Sequence, residues 1–181
     1  TTNFDHLLED ACAKVFGTTR TLTQSNLDNP QLAISAMNES RWPLLVKLHG
    51  DFRSDRLKNI KPELESQDAL LRRTLVSGCQ RFGLVVAGYS GRDPSVMTAL
   101  DDAIADGIGF PQGLFWLNRS GSQPLDSVKR LIERAVSKKI QAQIVDIENF
   151  DELIADLLGM IPDIPFDVRN SVLPKRTHVS D

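Results

Sequence analysis

The sequence predicts an α/β fold in which parallel strands are flanked by helices. Three observations carry that prediction. Short apolar segments rich in β-formers recur at residues 44–49, 84–90, 114–118 and 140–147. The sequence between them is compatible with helices, and polar residues gather where the segments end. Strands that alternate with helices imply a parallel sheet joined by crossovers, because parallel neighbours cannot be connected by a tight hairpin.

Each element has its own local warrant. The first helix runs over about residues 6–16, with Leu7, Leu8, Ala11 and Val15 on one face and Asp5 as its N-cap. Residues 18–42 are polar and weakly periodic, and are read as a loop over a site. Residues 51–83 are rich in charge but carry Leu70, Leu71, Leu75, Cys79 and Phe82 at helical spacing, which predicts a helical insertion or cap. Asp93-Pro94 places a capping carboxylate before a proline at the first helical position. The helix it opens carries Val96, Met97, Leu100, Ala103 and Ile104 and ends near Gly107. Leu125, Val128, Leu131, Ile132 and Ala135 mark a third core helix. Asn149-Phe150-Asp151-Glu152 resembles a capping box that starts a last helix, with Gly159 as its stop. Residues 1–161 form one domain in this reading, and the proline-bearing residues 162–181 form an arm or linker.

Composition narrows the function classes. With 181 residues, 41% apolar and 25% charged, the chain is long enough for one domain with a sizeable core. A formal net charge of −3 is not the electrostatic footprint of a nucleic-acid binder. Arg72, Arg73 and Arg81 could serve a partner or nucleic acid, but charge runs of this kind are usually solvated, and a solvated helix face is the favoured reading. No apolar run approaches the roughly 20 residues that span a bilayer, and no signal peptide is evident. Cys12 and Cys79 lie inside apolar-periodic segments without paired spacing, as expected of buried thiols in a reducing, cytoplasmic setting.

Four polar motifs mark the strand ends: Thr1-Thr2-Asn3-Phe4-Asp5, Lys47-Leu48-His49-Gly50-Asp51, Gly88-Tyr89-Ser90-Gly91-Arg92-Asp93, and Asn118 after Phe115-Trp116-Leu117. Ligands of open α/β sheets bind at the carboxyl ends of parallel strands. Each motif also has a purely structural role open to it, as a turn, a helix cap or a hydrogen-bonded strand-end histidine.

Taken in order, Asn3-x-Asp5, Leu48-His49-Gly50, Gly88-x-Ser90 and Leu117-Asn118 resemble the NAD-binding core of the sirtuins. That resemblance implies a Rossmann-like parallel sheet. It further implies that Thr2, Asn3 and Asp5 line the nicotinamide pocket and that His49 is the catalytic base. Gly88 and Ser90 would meet phosphate and ribose, Asn118 the adenosine ribose, and the loop with Glu148 the adenine side. Residues 52–82 stand where typical deacylases carry Cys-x-x-Cys pairs, so no zinc is expected. The family's first strand and Gly-Ala-Gly loop, which precede the Asn-bearing motif, have no counterpart in the sequence. The chain, opening at Thr1, is thus expected to be a fragment whose partners include the rest of its domain and other parts of its parent, with homo-oligomerisation expected.

Thr2 in place of the familiar Gln, with the wording of the second and third motifs, resembles sirtuin-like domains of bacterial antiphage defence. The implied activity is NAD hydrolysis to nicotinamide and ADP-ribose, with Asn3 and His49 as the catalytic pair. NAD-dependent protein deacylation, and a non-catalytic module that binds NAD or ADP-ribose, are the alternatives.

Overall fold

A computed structural model describes residues 1–3, 5–18, 21–26, 29–48, 61–105 and 107–162, with side chains left aside at 61–68 and 71. Helices and strands alternate along the chain. In order they are α1 (Leu7–Phe16), β1 (Thr23–Ser25), α2 (Pro30–Asn38), β2 (Leu44–Val46), α3 (Lys61–Arg81), β3 (Leu84–Val86), α4 (Pro94–Ala105), β4 (Leu114–Arg119), α5 (Asp126–Ser137), β5 (Ala142–Ile147) and α6 (Phe150–Met160). Among the described residues all the strand pairs are parallel, as the alternation predicts.

The strands form two ladders, β1-β2 and β3-β4-β5. The larger one anchors the core. Leu114 and Trp116 on β4 point the same way, as the two-residue strand period requires. They pack against Leu100 and Ile104 of α4 and Val128 and Ala135 of α5. Cys79 joins this cluster from α3, and burial pushes its thiol up to about 12. α3 packs on both α2 and α4, and Arg81 near its end fastens α2 by donating to the Met37 carbonyl at 3.2 Å and the Asn38 side-chain oxygen at 2.8 Å.

Thr1 extends the smaller ladder. Its backbone nitrogen donates to the Val46 carbonyl at 2.7 Å, and its carbonyl accepts from the Leu48 N–H at 2.9 Å. That is one rung of parallel pairing opposite Lys47, on the side of β2 away from β1. Beside it lies an apolar cleft of about 230 Å³, whose lining includes Val46, Leu48, Leu75, Cys79 and Leu84.

Several expectations need correction. Residues 18–42 are not a loop. They supply β1 and α2, and Ala33, Ala36 and Met37 of α2 are buried. Asn29-Pro30 signals the start of this helix, but with only nine residues and small apolar groups its periodicity is faint. The face of α1 is also reversed: Leu7 and Val15 are 69% and 61% exposed, and the buried residue is Glu9. An ion pair on the inward side, described below, fixes the helix rotation in place of apolar contact. Cys12 consequently sits half-buried rather than in the core. Asp5 lies one residue before the N-cap position, which His6 occupies, yet its Oδ1 accepts from the Leu7 N–H at 3.2 Å and so serves the helix start. Gly159 does not stop α6, which continues to Met160 and is capped at Ile161. Strands expected at 44–49 and 84–90 are only three residues each, because the chain leaves the ladder for the polar ends that follow.

Candidate functional site

Two groups of predicted site residues emerge, one at each ladder. The first lies at the carboxyl ends of β3 and β4. Gly88 has φ +66°, a left-handed conformation natural to glycine, and a Cβ there would meet nothing within 4 Å. The backbone is therefore open to close approach. Gly91 has φ +77°, and a Cβ would come within 2.6 Å of the Val128 side chain. Its carbonyl accepts from the Ser127 hydroxyl at 3.1 Å, which seats the turn on the start of α5. Between these glycines, Tyr89 packs on Trp116 with ring centroids 5.8 Å apart. Its hydroxyl accepts from the Asp93 N–H at 3.2 Å, and burial raises its pKa most, with the Asp93 charge adding to the rise and a backbone hydrogen bond at Asp93 opposing it. Asp93 in turn caps α4, its Oδ1 accepting from the Ser95 N–H at 2.7 Å.

Asn118 faces this turn from β4. Its amide nitrogen donates to Asp146 Oδ1 at 2.7 Å and to the Ser122 carbonyl at 3.0 Å. Asn118 and Asp146 are direct partners in the β4-β5 register. Gly88, Ser90 and Asn118 line one cleft of about 320 Å³, together with Arg92 and Arg119. That volume is at the low end of small-molecule sites, which are usually built around a few placed polar groups. Glu148 is exposed just beyond β5, outside this lining, and Asp146 is the acidic residue that meets Asn118. Only the register between strands puts Asp146 there, so no local sequence signal marks it.

The second group surrounds the rung between Thr1 and β2. Thr2 is half-buried, Asn3 and Asp5 are exposed, and the Asn3 N–H donates to the Thr1 hydroxyl at 3.1 Å. His49, in the same motif as Lys47 and Leu48, lies outside the described residues, as do residues 51–60 and 163–181. Beneath segment 1–5 the Lys47 side chain is 1% exposed, and its Nζ lies 2.7 Å from Glu9 Oε1. Burial alone raises the pKa of Glu9. Hydrogen bonds from Lys47, its own backbone and His6, with the Lys47 charge, outweigh that and hold it below the usual carboxylate range. Sequence reading passed over this pair; its one signal is a lysine set directly after the apolar run of β2.

Among the described residues, no cluster of three or more His, Cys, Asp or Glu side chains is arranged to hold a metal ion, and no helix is long and apolar enough to cross a membrane. Among curated proteins, none matches the chain. A family model for the SIR2-like domain matches residues 1–143. With alternating helices and parallel strands and the motif order given above, the chain belongs to the SIR2-like domain family.

Proposed function

We propose that this domain serves an NAD glycohydrolase, cleaving the bond between nicotinamide and ribose, in bacterial antiphage defence. SIR2-like domains generally bind NAD. The observation that carries the reading is the cleft in which Gly88, Ser90 and Asn118 converge at the carboxyl ends of β3 and β4. Its groups suit the adenosine and phosphate side of the dinucleotide. Gly88 leaves the backbone open, Ser90 offers a hydroxyl to ribose or phosphate, and Arg92 and Arg119 bring positive charge toward a diphosphate. Asn118 takes the adenosine ribose, and Glu148 borders the adenine side.

The reacting end falls to the Asn3 and His49 motifs. Nicotinamide leaves as a neutral base, taking the electron pair of the broken C–N bond, so its departure needs little acid assistance. Water supplies the new C–O bond at the ribose carbon, and its proton passes to His49, whose unperturbed pKa of about 6.5 suits a base at neutral pH. Asn3 orients the water, Asp5 holds the nicotinamide carboxamide and Thr2 lines the pocket. The products are nicotinamide and ADP-ribose. No metal takes part in this scheme.

The test is incubation with NAD, with and without an acyl-lysine peptide, followed by chromatography of the products. Peptide-independent nicotinamide release is expected, falling about 100-fold or more in Asn3→Ala and His49→Ala, in line with loss of orientation and general base catalysis. Release that requires the peptide would replace hydrolysis with deacylation. NAD binding without release would make the domain a binding module.

A further inference from the structure

The side-chain cluster between α1 and β2 has a buried lysine at its centre, met by Glu9, His6 and the Asp5 carbonyl. Lys47 is 1% exposed and follows directly on β2, where its N–H donates to the Ser25 carbonyl at 2.9 Å. Its ammonium lies 2.7 Å from Glu9 Oε1 and donates to the backbone carbonyl of Asp5, also at 2.7 Å. His6 Nδ1 is 3.4 Å from the same ammonium and 3.0 Å from Glu9 Oε1. The two His6 contacts call for different protonation of Nδ1: it donates to Glu9 when it carries the hydrogen and accepts from Lys47 when it does not. Gln24 of β1 donates to Glu9 Oε1 as well.

A buried ammonium is costly, and a pair of buried charges rarely adds net stability over apolar packing. Its value here is geometric. One side chain joins the end of β2, the first turn of α1 and the backbone of Asp5, two residues after Asn3. We propose that Lys47, with Glu9 as its buried counter-ion, is a positioning residue: it fixes the backbone of segment 1–5 against the carboxyl end of β2 so that Asn3 and Asp5 face the reacting end of the substrate. This role rests on the hydrolase reading for its consequence in catalysis, but not for its consequence in backbone order.

The experiment separates the two. In Lys47→Met alone a carboxylate is left buried without its cation, and the chain can fail to fold. Lys47→Met combined with Glu9→Met replaces the pair by apolar groups of similar length; it removes the donor to the Asp5 carbonyl, the Lys47 contact with His6, and the acceptor for His6 and Gln24. In the full chain without NAD, hydrogen exchange of residues 1–9 should quicken about tenfold in the double variant, while residues 114–119 of β4 keep their protection. In the NAD assay its kcat should fall about 10–100-fold, with KM changing far less, as expected when a reacting group is misplaced rather than removed. Unchanged exchange at residues 1–9, equal loosening of β4, or loosening of residues 1–9 with an unchanged kcat would each overturn the proposal. A wild-type chain that releases no nicotinamide would overturn the hydrolase reading instead, and the exchange data would still decide whether Lys47 orders the segment.

Discussion

At single positions the structure distinguishes residues that only one amino acid can fill. Gly91 is the clearest. Its φ of +77° is unfavourable for a side chain, and an added methyl would come within 2.6 Å of the Val128 side chain on a packed helix. Strain and overpacking therefore act together, and Gly91→Ala should destabilise the fold by about 1–3 kcal/mol. Thermal unfolding measures this, and an unchanged midpoint would mean that the turn and α5 separate without cost. Gly88, with an equally left-handed φ but open space, is free of the packing part. Legibility differs at this scale in the same way. Asp93-Pro94 and Asn149 can be read directly, because a cap acts on the N–H groups of the next turn, and Asn149 Oδ1 does accept from the Glu152 N–H at 2.8 Å. Lys47, Glu9 and Asp146 cannot be read so, since their partners lie far away in the sequence.

Helices and strands were legible to the extent that their own apolar pattern decides their burial. α4 and α5 bury most of the positions their spacing predicts, including Val96, Leu100 and Ile104 in one and Val128, Leu131 and Ile132 in the other, while Leu125 stands exposed at the N-cap of α5 and Met97 is half-buried. α1 has the same kind of spacing and a different outcome, because the ion pair under Glu9 sets its rotation. The difference between an apolar stripe and a buried charge is invisible to periodicity. α2 failed for another reason: Ala33 and Ala36 pack closely without the large side chains that make a stripe conspicuous. A prediction belongs to α4. Asp93 accepts from the N–H groups of Ser95 and Val96 and meets the Tyr89 hydroxyl through its backbone, so it joins the cleft turn to the helix start. Asp93→Ala should cost about 1 kcal/mol, a drop in Tm of roughly 2–4 °C for a chain of this size, and Asp93→Ser should recover most of it. Equal losses in both variants would show that the carboxylate is needed for something other than capping.

For the whole molecule, the parallel α/β arrangement was legible because it needs only the alternation of elements, whereas the division into two ladders depends on backbone pairing that a single sequence does not encode. The two ladders also divide the candidate site. The polar groups at β3 and β4 rest on an apolar core, while those around segment 1–5 rest on the buried charges of Lys47 and Glu9. This difference makes the stability of the molecule depend on acid through the first region. Glu9 has a folded-state pKa below its ordinary value of 4.5, so its contribution is fully present above about pH 4.5 and is lost as the pH falls through the folded value. Protonation at that point leaves the Lys47 ammonium buried without its counter-ion. Glu9→Gln imposes that situation at every pH and should cost about 3–5 kcal/mol at neutral pH, the loss typical of breaking one side of a buried pair. Denaturant unfolding from pH 6 to pH 3 should then show a shallower decline of stability in the variant than in the wild type, with the two curves converging toward the acid end. Parallel curves would mean that Glu9 titrates alike in the folded and unfolded chains, and that the buried pair does not govern how the molecule responds to acid.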